Sequence, residues 1–275
     1  MFAYPQIMGI LNVTPDSFYD GGFHHSHTAA FEHALQLISE GADIIDVGGE
    51  STRPGAQPIS IQEECDRVLP VIEKLVKETA TPVSVDTRHA QVMKEAIRLG
   101  ASIINDVNAL QNEDTLNVVA NQPVKVCLMH MQGTPESMQH KPQYENILQE
   151  IYDFFVARIN ACEAHGLSRK NIWLDPGFGF GKTLEHNLTL LGNLSFFKSL
   201  GCPLLVGISR KSMFGALLNR PAELRLPASL SAALIALLQG AAIVRVHDVA
   251  ATFDALAVLK AVQPHCKENL SVTAA

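Results

Sequence analysis

Residues that can do chemistry recur along this chain at the ends of short apolar runs. Met8–Val13 delivers Asn12, Ala42–Val47 delivers Asp46, Pro82–Val85 leads to Asp86, and Ser102–Ile104 leads to Asn105 and Asp106. Further on, Ile172–Leu174 ends at Asp175, Leu204–Ile208 at Ser209-Arg210-Lys211, and Ala242–Val246 at Arg245, His247 and Asp248. A buried strand gains nothing from a charged end unless the ends share a polar task. Two carboxylates and an amide (Asp86, Asp175, Asn105) suit a flat heterocycle that presents an amino group beside a ring N–H, because a carboxylate accepts two such donors in parallel. The bland alternative is that they cap the helices that follow. Arg245 and His247 are two apart, so a strand puts them on one face, where two cationic donors suit an anion. Asp46 sits deeper and reads as an orienting group for the loop after it.

Two other clusters invite stronger readings and fail on spacing. Gly177-Phe-Gly-Phe-Gly-Lys-Thr183 resembles a nucleotide loop, but the glycine a Walker loop needs is Pro176 and the last glycine of a dinucleotide fingerprint is Lys182. It reads as a slim strand-to-helix loop with Phe180 as an aromatic wall. His24, His25 and His27 lack a carboxylate or cysteine at ligand spacing and read as a solvated stretch before a helix. For His130 a hydrogen-bonding role in the core weighs at least as much as a ligand contact.

The elements that carry these residues alternate. Strands are expected near 7–13, 42–48, 82–86, 102–106, 125–130, 172–175, 204–209 and 242–247. Between them lie helical stretches: an apolar face at Phe31, Ala34, Leu35 and Ile38, a capping-box pattern at Ser60 and Glu63 ahead of a helix containing Pro70, and a helix capped by Thr87. The segment 113–121 predicts a short helix. Ile147, Ile151, Phe154, Phe155 and Cys162 stripe another, and 184–200, 227–239 and 252–262 complete the set. Gly41, Gly100, Gly166, Gly201 and Gly240 stand where helices give way to strands. Strand–helix alternation predicts a parallel sheet. Eight units argue for a single-domain (β/α)8 TIM barrel over residues 1–275, with 263–275 as a frayed tail, although the pattern alone also permits an open doubly wound sheet.

Composition narrows the class. With 275 residues, 47% hydrophobic and 18% charged, the chain is long and apolar enough for a large ordered core. A net charge of −7 gives no footprint for nucleic acid. Five scattered cysteines without CxxC spacing fit a reducing compartment, and no span is long and apolar enough for a membrane, so the expected location is the cytoplasm.

Eight segments in order resemble the signatures of the dihydropteroate synthases. They are Met8–Gly22, Asp46–Ala56, Ser84–Thr87, Ile104–Val107, Leu128–Pro135, Asp175–Thr183, Ser209–Ser212 and Arg245–Asp248, spread over about residues 7–260. The resemblance implies a pterin-binding TIM barrel and a transferase of folate synthesis, a target of sulfonamides. Its reaction condenses 6-hydroxymethyl-7,8-dihydropterin pyrophosphate with p-aminobenzoate, giving dihydropteroate and pyrophosphate. Carried over residue by residue, Asp86, Asn105, Asp175 and Lys211 would hold the pterin, and Asn12, Arg245 and His247 the pyrophosphate. Mg2+ would bridge it to Asn12 and Asp20. Phe18, Thr52, Arg53, Pro54, Phe180 and Ser212 would form the p-aminobenzoate pocket, and Asp86, Asp175, Lys211 and Arg53 would act in catalysis. Loops 14–22 and 48–58 would close over the substrates. The resemblance also implies small-molecule substrates, no nucleic-acid or membrane partner, and a homodimer. A pterin-dependent methyltransferase would share the pterin pocket without the pyrophosphate site or the Ser-Thr-Arg-Pro loop, and a non-catalytic paralogue should lack anion or loop residues that are present here.

Overall fold

The computed structural model describes residues 5–14, 22–51, 57–134, 138 and 142–265, apart from the side chains of 22–26. Eight parallel strands alternate with helices: β1 (Gln6–Asn12), β2 (Ile44–Gly48), β3 (Val83–Asp86), β4 (Ile103–Asp106), β5 (Lys125–Met129), β6 (Ile172–Asp175), β7 (Leu205–Val206) and β8 (Ile243–Val246). The sheet order is β6-β5-β4-β3-β2-β1-β8-β7, and a parallel bridge between Leu174 and Leu204 joins its two edges. This is a barrel rather than an open sheet. The helices are α1 (Gly22–Ser39), α2 (Ile61–Glu78), α3 (Ala90–Leu99), α4 (Glu113–Val119), α5 (Ile147–Ala164), α6 (Leu184–Gly192), α7 (Ser212–Leu218), α8 (Leu226–Leu238) and α9 (Val249–Val262).

Alternation along the strands divides the core in two. Outward residues such as Leu11, Val47, Val85, Ile104, Leu128 and Val244 meet the helices. Inward residues Met8, Ile44, Ile103, Cys127, Trp173, Leu205 and Ile243 form a separate apolar floor inside the barrel. Two residues further along four of these seven strands stand Asp46, Asn105, Asp175 and Arg245, so there the pleat turns the same face from apolar to polar one step above the floor.

The helix-ending glycines behave as their positions predict: all five have φ between 68° and 106°, the left-handed region where a side chain is strained. Other local expectations change. Strand β7 is shorter than 204–209, ending at Val206, and beyond it the Ser209 hydroxyl accepts from the His247 N–H (3.3 Å). Thr87 does not cap α3; its hydroxyl accepts from the His89 N–H (3.2 Å), and the helix starts at Ala90. Ser60 does cap α2, but Glu63 turns to Arg67 instead of completing the box, and α2 runs through Pro70. Helix α1 begins at Gly22, so His24, His25 and His27 lie in its first turns rather than in a loop before it. Leu35 is exposed, and the buried stripe passes instead through Ala30, Phe31, Ala34 and Leu37. The stretch 184–200 divides into α6 and a 3-10 segment, Leu194–Leu200. Of the tail, residues 263–265 form a 3-10 turn and the rest lies outside the described residues.

Trp173 is the largest side chain of the floor and only 1% exposed. Trp173→Ala is expected to cost about 3–5 kcal/mol of stability in urea unfolding followed by far-ultraviolet circular dichroism. A loss below about 1 kcal/mol would mean that the floor does not support the barrel.

Candidate active site

The polar layer is organised around one guanidinium. Arg245, on β8, donates from Nε to Asp46 Oδ2 (2.6 Å) and from Nη2 to Asp86 Oδ2 (2.7 Å). The same oxygen of Asp46 accepts from Asn105 Nδ2 (3.0 Å). Asp46 therefore orients Arg245 and Asn105 across the barrel, rather than the loop that follows it. Its other oxygen, Oδ1, is buried with no hydrogen-bond partner among the described residues. Burial pushes the Asp86 carboxyl up to about 7; the Arg245 charge opposes the rise, and the neighbouring Asp46 carboxylate adds to it.

Asp175 faces this group from β6. Its Oδ1 accepts from the Gly177 N–H (2.8 Å), while its Oδ2 lies beside Gly207, where an added Cβ would stand 3.6 Å away. Gly207 thus leaves space at the mouth where a side chain would intrude. Burial raises the Asp175 carboxyl, opposed by the Gly177 N–H and then by Lys211. Burial lowers the Lys211 ammonium to about 8, with Asp175 holding it up. Lys211 Nζ sits 4.2 Å from the centroid of the Phe180 ring, a cation–π contact. The turn that presents Lys211 is set by Arg210 in a left-handed conformation (φ 55°), tied to Asp248 by two hydrogen bonds of 2.8 and 2.6 Å. Ser212 follows, exposed, as the first residue of α7.

Asn12 ends β1 opposite Gly48, and a Cβ on that glycine would stand 3.8 Å from Asn12 Oδ1 and 3.7 Å from Asp86 Oδ2. His247 lies beyond β8, with Nδ1 3.0 Å from Ser209 Oγ. Burial and then the Arg245 charge push its pKa down to about 4, so it faces the mouth as a neutral ring. The expected pair of cations is therefore one cation and one neutral imidazole, because a second buried positive charge beside Arg245 is disfavoured. His130 is buried, packs edge-on against Phe154 at 5.0 Å, and lies 3.1 Å from Lys182 Nζ.

Phe18, Asp20, Thr52, Arg53 and Pro54 lie outside the described residues, as do residues 15–21 and 52–56 of the two expected closing loops. The base of the second loop is described. Arg67 donates to the Gly49 carbonyl (2.8 Å), and Arg88 clasps Glu50 through two hydrogen bonds of 3.0 and 3.1 Å. Glu50 lies in the segment Asp46–Ala56, yet nothing in its spacing announces Arg88 as its partner. Among the described residues no group of three or more His, Cys, Asp or Glu could hold a metal ion.

These environments predict that the imidazoles of His247 and His130 titrate near 4 and near 3 in the ligand-free protein. NMR of the ring C–H resonances should find both neutral at pH 6; a midpoint above 6 for His247 would restore the two-cation reading.

The chain matches the family of pterin binding enzymes over residues 8–247. It is 49% identical to the dihydropteroate synthase of Escherichia coli K12 over 97% of this chain and 94% of that one. It superposes with a TM-score of 0.90 and 50% identity on the Yersinia pestis dihydropteroate synthase solved with a sulfonamide drug, covering 95% of each chain. On the Xanthomonas albilineans dihydropteroate synthase in complex with 7,8-dihydropteroate the TM-score is 0.87 at 46% identity, over 95% of this chain and 94% of that one. A barrel mouth with two buried carboxylates, an amide, a lysine and an arginine, on a chain this similar from end to end, belongs to the pterin binding enzymes and, within them, to the dihydropteroate synthases.

Proposed function

We propose that the mouth joins 6-hydroxymethyl-7,8-dihydropterin pyrophosphate to p-aminobenzoate, releasing pyrophosphate and 7,8-dihydropteroate. The observation that carries this reading is the meeting of Asp86, Asn105, Asp175 and Lys211 above an apolar floor, in a dihydropteroate synthase chain. The floor supports the face of a flat ring, and the carboxylates accept its N–H donors. Donors that favour the ionised form offset the burial that raises both acids. Asn105, aimed by Asp46, and Lys211 complete the edge.

Pyrophosphate departs first. Arg245 offers the anion a fixed positive charge, and His247 gains a reason to protonate once an anion lies beside it. The methylene left behind is conjugated with the electron-rich pterin, so its positive charge spreads into the ring. Asp86 and Asp175 stabilise that charge without moving, because Arg245 and the Gly177 N–H already hold them. The amine of p-aminobenzoate then attacks the methylene and loses a proton. Phe180 and Ser212, with Phe18, Thr52, Arg53 and Pro54, form the pocket for that ring in this reading. Arg53 completes the catalytic set.

Mg2+ fits the donors present. It favours oxygen ligands and keeps waters and substrate phosphates in its shell, so Asn12 Oδ1 and Asp20 would hold it together with the pyrophosphate. When bound it neutralises pyrophosphate charge. We also propose a homodimer: Leu218, Ile235, Leu238, Phe253, Val258 and Val262 are exposed on α7, α8 and α9. No helix of the described residues is long and apolar enough to cross a membrane, in keeping with work in the cytoplasm on small-molecule substrates.

Purified protein with Mg2+ and both substrates should release pyrophosphate and form dihydropteroate in equal amounts; pterin binding without release would point to a non-catalytic paralogue. Asp175→Asn should weaken pterin binding by roughly 10- to 150-fold in calorimetry, the loss of a charge-assisted hydrogen bond. Since Asp86 must be ionised to accept from the pterin and is held near 7, affinity should fall as pH drops through about 7. One coupled proton gives up to about tenfold per unit below that point. Asp86→Asn should flatten this dependence, and an unchanged slope would assign it to another group.

A further inference from the structure

We propose that Lys182 is a positioning residue: its buried amino group holds the backbone carbonyl of Phe180, and so places the ring that walls the p-aminobenzoate pocket and carries Lys211 on its face. The inference rests on the role given to Phe180 above.

Lys182 is only 4% exposed, and no carboxylate of the described residues lies within ion-pair distance of it. Its three N–H bonds find three acceptors: the Phe180 carbonyl (2.9 Å), His130 Nδ1 (3.1 Å) and the His130 carbonyl (3.2 Å). Burial among neutral acceptors lowers the Lys182 pKa to about 7, an expensive way to fill a core, and a methionine of similar length would serve packing alone. The neighbouring contacts indicate what its hydrogen bonds do. The loop after β6 lies flat on the loop after β5. His130 N–H donates to the Asp175 carbonyl (2.9 Å), and Cβ atoms added at Gly177 and Gly181 would come within 2.0 Å of the His130 carbonyl oxygen and 2.5 Å of that of Gln132. Tyr144 donates to the Gly181 carbonyl (2.8 Å). Asn187 accepts from the Gly179 N–H (2.8 Å) and donates to the Thr183 carbonyl (2.7 Å). Among the described residues Lys182 adds the one side-chain hydrogen bond made to Phe180 itself, and it anchors that bond on His130, whose backbone N–H is held by β6 and whose ring packs on Phe154. Phe180 in turn lies under Lys211, so the strut reaches both halves of the pocket.

A double-mutant cycle separates this role from a merely structural one. Wild type, Lys182→Met, Phe180→Leu and the double variant are compared for kcat, KM for p-aminobenzoate at saturating pterin pyrophosphate, and melting temperature. Each single variant should raise KM about tenfold, and the double variant should lie within about twofold of Phe180→Leu, since a strut has nothing to place once the ring is gone. If the two effects multiply, or if Lys182→Met lowers the melting temperature with KM unchanged, Lys182 does not act through Phe180. Should Lys182→Met fail to fold, Lys182→Gln, which keeps two N–H donors, enters the same cycle under the same criteria. Wild-type protein that makes no dihydropteroate overturns the functional reading together with this one. Active wild type with multiplicative variants overturns only the strut.

Discussion

The site depends on the grip of Asp46 and Asp86 on Arg245. The three residues come from β2, β3 and β8, and the two ion pairs close distances of 2.6 and 2.7 Å inside the barrel. Buried ion pairs are poor sources of net stability, because desolvation of each charge offsets their attraction. What they provide here is arrangement. With Arg245 drawn to two carboxylates and Asn105 drawn to one of them, three side chains that approach substrate, Arg245, Asp86 and Asn105, are held before any substrate arrives. A preorganised charge set of this kind needs no reorganisation during reaction.

The apolar floor makes that arrangement possible. Met8, Ile44, Ile103, Cys127, Trp173, Leu205 and Ile243 fill the barrel below the polar layer and remove water from beneath it. Low polarity on one side is what raises the acids Asp86 and Asp175 and lowers the bases Lys211 and His247. Opposite shifts in neighbouring acids and bases are the mark of a site poised to change its charges when a ligand enters. Gly207 contributes by what it lacks, keeping the space beside Asp175 Oδ2 open.

Loop placement follows a second rule. Segments that carry contact residues are tied down by side chains that never reach the mouth. Arg210 and Asp248 fix the turn before Lys211, Arg67 and Arg88 secure Gly49 and Glu50, and Lys182 with Asn187 and Tyr144 secures the loop of Phe180. The framework and the chemistry are thus divided among different residues on the same loops.

By itself the sequence determined the alternation of eight strands with helices and the polar residues at the strand ends; closure into a barrel came from the pairing of the two edge strands. Short apolar runs, glycines at helix ends and polar residues at strand ends are local signals, and they located eight strands to within a few residues and put Asp86, Asn105, Asp175 and Arg245 at or near the ends of four of them. The tertiary structure alone decided who holds whom. Asp46 lies 199 residues from Arg245 and 59 from Asn105, so no local pattern could assign it to them rather than to the adjacent loop. Nor could residue type reveal that His247 is neutral or that Lys182 is buried among carbonyls. Charge state depends on the water a group loses and the charges it meets, and both are set by elements far apart in the chain.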